Sequence, residues 1–423
     1  MTTATARHGL ATVIGRLSSP QATRLLWPAF VITRIVLVVL AFSDAYGLGA
    51  PDPLGDVDLY HRYATGIVDE HLVPYRDLTI EYPPGAVLLF LLPRLVGTSL
   101  GSYRVAFVVL MLILDVLGLV GLRRLARRTG TALASVGPWT WVGGMALFGP
   151  VALGRFDIAA AVTIIWAFER AQAGRWGGAG AWLGMGAAIK LFPALLLPFY
   201  LIVAPKRGRL VLGAAIGGLV FLMPVIPWLS ELVSNTVAYQ LGRGVHHESL
   251  WGTILLAAGQ FGYDVRLEPV AGSRDVISTG VGLAANLATV SLVAMIAELH
   301  LRSSRLVRND VEHLAVACAA ILFLFVGLSP VYSLQFVIWL LAIGAVVVTL
   351  VPALQVRLLT GLAIMTFGAH MVFPMLFASF LDLQPVPILM ALTRNVTTVV
   401  VGILLVLSLP RQGQPEPVRL ASS

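Results

Sequence analysis

Apolar stretches of about 20 residues recur along the whole chain, separated by short connectors in which arginine is the commonest charge. A helix of that length crosses a hydrocarbon core of roughly 30 Å with every backbone hydrogen bond made internally. Barrel strands would alternate apolar and polar positions, and these runs do not. The pattern predicts an all-α, polytopic membrane helical bundle.

The distribution of arginine orients the runs, because connectors rich in Lys and Arg stay inside. With an N-terminal tail (1–24) in the cytoplasm, the segment 25–43 runs outward. The next run, 84–97, is short and interrupted by Pro93 and Arg94. If it crossed, "RRLARR" (Arg123 to Arg128) would be stranded outside, so it reads as a juxtamembrane helix. The spans then alternate: 103–122 inward, 131–152 outward, 156–171 inward, a hairpin at 178–204, 210–228 outward, 278–298 inward, 313–329 outward, 334–351 inward, 358–378 outward and 389–408 inward. Counting the hairpin twice gives twelve segments in one domain, 25–408, with both ends inside and a polar tail at 409–423 expected to be disordered. The hairpin is too short for two full crossings at 1.5 Å per residue. Two short helices are expected to meet near "AAIKLFPALLLP", with Lys190 in the outer half of the bilayer and Pro193 breaking the helix after it.

Composition agrees: 58% hydrophobic, 12% charged and a mean hydropathy of +0.87 exclude a water-soluble fold of 423 residues. The net charge of +8 follows topology, since no basic segment interleaved with aromatics offers itself to nucleic acid. Cys318 is the sole cysteine, which excludes an internal disulfide and argues against a cysteine metal site. Arginine outnumbers lysine 27 to 2, a usage typical of GC-rich bacterial genomes, which points to a bacterial plasma membrane. Arg7, Arg16 and Arg24 precede the first apolar run with no small-residue cleavage site after it, as in an uncleaved signal anchor.

Topology does not explain the charges left outside. Two long outer connections, 44–102 and 230–277, together with shorter ones, carry Asp56, Asp58, Arg62, Arg76, Asp77, Glu81, Arg155, Asp157, Lys190, Arg243, His246, His247, Glu248, Tyr332, Gln335 and Arg394. A bundle would gather them at one face. In "DVDLYHRY", helical spacing puts Asp56, Tyr60 and Tyr63 on one face and Asp58 with Arg62 on another, leaving Asp56 the freer carboxylate. A carboxylate base, several cations and a bordering lipid phase suit transfer of a group from a lipid-linked phosphate.

Plainer readings stand beside these. Asp56 could cap a helix, and Asp58 reads as structural. Tyr82-Pro83-Pro84 shapes the backbone, and Lys190 could snorkel to the interface. His246 and His247, being adjacent, share no helix face, so no metal is expected. Glu248 belongs to an acceptor site or pairs with Arg243. Arg34 and Asp115, both inside spans, read as a structural buried ion pair, and the tryptophans at 27, 228, 251 and 339 as an interfacial belt.

Taken in order, "GDVDLY…VPYRDLTIEYPPG", "GRFDIAAAV", "AAIKLFPALLLP", "GRGVHHESLWGT", "LSPVYSLQFVIWL" and "TRNV" resemble the GT-C class of membrane glycosyltransferases, and within it glycosyltransferase family 87. The resemblance implies a GT-C fold and an inverting transfer of a sugar, mannose by analogy, from a polyprenyl phosphate to a lipid or glycan acceptor at the outer face. It implies Asp56, four residues before Tyr60, as the catalytic base, and Lys190, Arg243 and Arg155 near the donor phosphate. Asp58, Tyr60, Arg62, Tyr82, Asp157, His246, His247, Glu248, Tyr332 and Arg394 are further substrate-site candidates. Where the family reads Ser-Pro-Gln-Tyr, this chain has Ser329-Pro330-Val331-Tyr332, so a glutamine contact is missing or comes from Gln335. No nucleotide domain, cofactor or metal is implied. A membrane transporter or lipid-linked-sugar flippase is the rival expectation; it requires ionisable residues at broken helices in both halves, whereas here they crowd one face.

Overall fold

A computed structural model describes residues 3–43, 51–239, 242–270, 273–304 and 306–410. The tail beyond 410, and residues 44–50 of the connection predicted at 44–102, lie outside the described residues.

Among the described residues seven helical stretches are long and apolar enough to cross a membrane, and the chain is a multi-pass, all-α membrane protein. They include α2 (Pro20–Ala41) and α5 (Leu100–Thr129). Ser19 caps α2 with Pro20 in its first turn, and Ser99 and Ser102 form a capping box on α5. α1 (Thr3–Leu17) precedes the first span, and α3 (Gly55–Val68) and α4 (Pro84–Arg94) lie in the connection between α2 and α5. At 11 residues, α4 is too short to span.

Other predicted spans are interrupted. The 131–152 run holds α6 (Val136–Phe148), stopped at Gly149 with a φ of +88° and followed by a 3-10 turn, Pro150–Gly154. After α7 (Asp157–Gln172), α8 (Trp176–Ile189) ends where Lys190 turns extended, and a 3-10 turn leads into α9 (Leu197–Val203). The break foreseen in the hairpin therefore falls at Lys190. Downstream lie α10 (Arg207–Leu222), the short α11 (Leu229–Val233) and α12 (Leu250–Gly259). The connection 230–277 also contains an antiparallel hairpin, β1 (Arg266–Val270) and β2 (Ser273–Ile277), with Glu268 opposite Asp275, which the helical pattern did not predict. The chain finishes with α13 (Val281–Ser303), α14 (Val311–Leu328), α15 (Phe336–Leu350), α16 (Gln355–His370), α17 (Phe377–Leu381) and α18 (Pro385–Leu407). The predicted span 358–378 is thus broken, with Phe373 outside helical geometry.

Burial separates centre from rim. The α14 span is 83% buried against 11% for α13, and α7 and α15 are enclosed along nearly their whole length. These three helices form the core that the peripheral spans shield from lipid. Small residues set a close contact where α8 and α10 cross. A Cβ at Gly180 would strike the Leu210 carbonyl, and one at Gly213 the Gly177 carbonyl, so the backbones touch as small-residue membrane interfaces allow.

Candidate active site

The first part of the site forms where α3 meets the turn before α7. The Leu54 amide donates to Asp52 Oδ1 at 2.8 Å, starting α3 and placing Asp56 and Asp58 in its first turn, where the helix dipole favours negative charge. Asp56 Oδ2 lies 2.7 Å from Arg155 Nη1, with the arginine buried and the aspartate partly open to solvent. Only glycine fits at 154, since a Cβ there would strike the Pro53 carbonyl. That close approach sets Arg155 against the head of α3.

Two sequence expectations change here. Asp58 does not pair with Arg62; it takes both arms of Arg104 from α5, at 2.8 and 2.9 Å, which also reaches Asp52. Arg62 is exposed and pairs with no carboxylate among the described residues. Nor is Asp56 a free carboxylate, because a cation from a different connection, beyond the reach of helical spacing, holds it.

Behind the carboxylates, Tyr60 is buried and stacked on Phe90 at 4.4 Å, with Tyr82 and Phe156 edge-on at 6.0 and 5.6 Å. Burial, and then the charge of Asp56, hold the Tyr60 phenol well above its usual range, so it stays a neutral hydroxyl. Tyr63 donates to Glu81 at 2.6 Å.

The second part is a box around Lys190. Its Nζ sits 2.7 Å from Asp157 Oδ1, to which the Trp339 indole also donates at 2.7 Å. The rings of Phe156, Trp339 and Phe336 lie 4.6, 5.3 and 5.9 Å from the ammonium. The lysine is therefore held inward by a buried carboxylate and aromatic faces and does not snorkel. Trp339 belongs to this box and not to an interfacial belt. Arg155 Nε and Asp157 Oδ2 are buried with no hydrogen-bond partner among the described residues, so polar valences of both charged groups remain open.

The third part is the connection 242–249. Arg394, fully buried on α18, donates to Glu248 Oε2 at 2.9 Å and to the Glu248 carbonyl at 2.8 Å, with Tyr332 facing its guanidinium at 4.2 Å. Glu248 thus pairs with Arg394 and not with Arg243, which lies over the Tyr239 ring at 6.0 Å. Asn395 donates to the same carbonyl at 2.9 Å. The His246 amide donates to the Pro330 carbonyl at 2.9 Å, and His247 Nδ1 lies 2.8 Å from the Arg274 carbonyl. Burial pushes both imidazoles below their ordinary value, His246 furthest, with His247 beside it adding to the effect. His246 Nδ1 accepts from the Glu248 amide at 3.2 Å, while His247 Nε2 is buried with no hydrogen-bond partner among the described residues, where no cluster of three metal-ligating side chains occurs.

The three parts are contiguous. Tyr60 touches Phe156, Phe156 faces Lys190, Lys190 faces Phe336, and Phe336 lies 6.1 Å from Tyr332, which covers Arg394. Sequence reasoning missed Arg104, Phe156 and Phe336 as members. Only the indole N–H of Trp339, which needs a partner once buried, hinted at its place.

Residues 80–316 match the family model of glycosyltransferase family 87. Arg155, Asp157, Lys190 and the 242–249 connection lie within the match, whereas Asp56, Tyr332 and Arg394 lie outside it. Among solved structures, the apo state of ArnT from Cupriavidus metallidurans is similar at 13% identity and a TM-score of 0.42, over 89% of this chain and 77% of that one. No curated protein matches the chain.

Proposed function

Because the chain belongs to glycosyltransferase family 87, we propose that it is an inverting enzyme that moves a sugar, mannose foremost, from a polyprenyl phosphate to a lipid or glycan hydroxyl at the outer face of a bacterial plasma membrane. The observation that carries this reading is the Asp56–Arg155 contact at 2.7 Å beside the Lys190 box. A carboxylate at the solvent edge and two cations with buried, incompletely satisfied surroundings suit an acceptor hydroxyl on one side and a phosphate on the other.

In this mechanism Asp56 accepts the proton of the acceptor hydroxyl as its oxygen bonds to the anomeric carbon. The bond from that carbon to the phosphate oxygen breaks, its electron pair leaves with the polyprenyl phosphate, and the configuration inverts. Arg155 and Lys190, with Arg243 from the second outer connection, neutralise the leaving phosphate. Arg155 exchanges its Asp56 partner for phosphate, which frees the carboxylate when donor is bound. Asp58, held by Arg104, positions α3. Arg394 and Glu248 form a structural clasp holding the 230–277 connection, where acceptor selection takes place. No cofactor or metal takes part.

The test is transfer by purified protein in lipid with a panel of polyprenyl-phosphate sugars and extracted envelope acceptors. Asp56→Asn is expected to lower turnover by roughly 10²–10⁴-fold while donor binding survives. Equal activity in Asp56→Asn would remove it as the base. Donor movement across the bilayer without transfer would favour the flippase.

A further inference from the structure

A second cluster of charge sits at the far end of α5. Arg124, Arg127 and Arg128 line, with Val120, an open cleft of about 470 Å³. At 1.5 Å per residue, Arg124 lies about 30 Å along α5 from Arg104, which is bound to the outer carboxylates. That separation equals the hydrocarbon thickness, so the cleft sits at headgroup level in the opposite leaflet.

Its charge is unbalanced. The one carboxylate paired with them among the described residues, Glu169, is fully buried and shared by Arg128 at 2.9 Å, Arg170 at 3.4 Å and Arg124 at 3.6 Å. Arg127 is exposed and pairs with no carboxylate among the described residues. Arg124 is additionally stacked over Trp166 at 5.5 Å, which fixes its guanidinium at the cleft wall. Planar, preorganised guanidinia match phosphate oxygens in geometry as well as charge. Towards the bilayer centre, Leu117 and Ile113 are both exposed, on the helix side that also carries Val120 and Arg124. An apolar track thus leads into a phosphate-binding head.

We propose that this cleft binds the headgroup of an anionic phospholipid of that leaflet, its acyl chain lying along the α5 track. The site is independent of the sugar-transfer reading.

The test reconstitutes the delipidated full chain in phosphatidylcholine nanodiscs with increasing phosphatidylglycerol and measures retained lipid by native mass spectrometry. Wild type is expected to retain phosphatidylglycerol over phosphatidylcholine. An R124Q/R127Q/R128Q variant should lose that preference by roughly tenfold or more, while Lys206→Gln/Arg207→Gln/Arg209→Gln, on a neighbouring basic connector, should retain it. The triple variant strips Glu169 of two partners and could unfold, so R127Q alone, with no partner to strand, must lower retention severalfold at an unchanged melting temperature. Wild-type retention by R127Q, equal loss in the connector variant, or displacement by millimolar inorganic phosphate would each overturn the proposal.

Discussion

Residues that local spacing could rank were ranked with uneven success. Arg34 and Asp115, 81 positions apart, form the structural pair expected of them: Arg34 Nε and Nη2 donate to Asp115 at 2.6 and 3.1 Å, and the Trp141 indole donates to the same carboxylate at 2.7 Å. Asp115→Ala leaves a buried guanidinium without a counter-charge, so it should cost about 3–5 kcal/mol, read as a lowered unfolding midpoint in detergent. Turnover per folded molecule should stay at the wild-type value, because Asp115 lies about 16 Å along α5 from Arg104, the residue of that helix that holds Asp58. Asp56, Asp58 and Glu248 were legible as chemistry-bearing positions, but their partners were not. Helical spacing offers Arg62 to Asp58 and short range offers Arg243 to Glu248, whereas Arg104, Arg155 and Arg394 arrive from other elements and displace both.

Elements carried a stronger signal where apolar length was the message. The spans at α2, α5, α13, α14 and α18 were visible because hydropathy over a bilayer thickness depends on composition alone. Segments near the site were less legible, as α6, α8 and the 358–378 run are cut short by turns at Gly149, Lys190 and Phe373. Irregular backbone at membrane depth survives only where protein encloses it, and enclosure is not written in hydropathy. The α8–α10 contact makes this testable. Gly180→Leu should force these helices apart and displace Lys190 at the end of α8, weakening donor binding and lowering the melting temperature together. Gly208→Leu, at a position with open space around it, should change neither; donor titration and thermal unfolding of both variants check this.

On the scale of the whole molecule, the 242–249 connection joins the 329–335 loop, β2 and α18 through His246, His247 and Glu248. The titratable and charged groups facing the histidines are Arg243, Glu248, Arg274 and Arg394. Both imidazoles are held below their ordinary 6.5 in the folded chain, so protonation favours the unfolded state. Their contribution to stability is full above that value and is lost as pH falls below it, through the lowered folded values. The unfolding midpoint should therefore drop on acidification from pH 7 towards 5, and His246→Gln should flatten that slope; a slope identical to wild type would remove the pair as its source.

Sequence alone determined that this is a polytopic helical membrane protein of family 87, because apolar length and the order of motifs are properties of a linear string. Tertiary structure alone decided that Asp56 meets Arg155, that Lys190 turns inward to Asp157 and Trp339, and that Glu248 is clasped by Arg394. Those pairings join residues from about 30 to 180 positions apart, and a buried charge takes the counter-charge that packing delivers to it, not the one nearest along the chain.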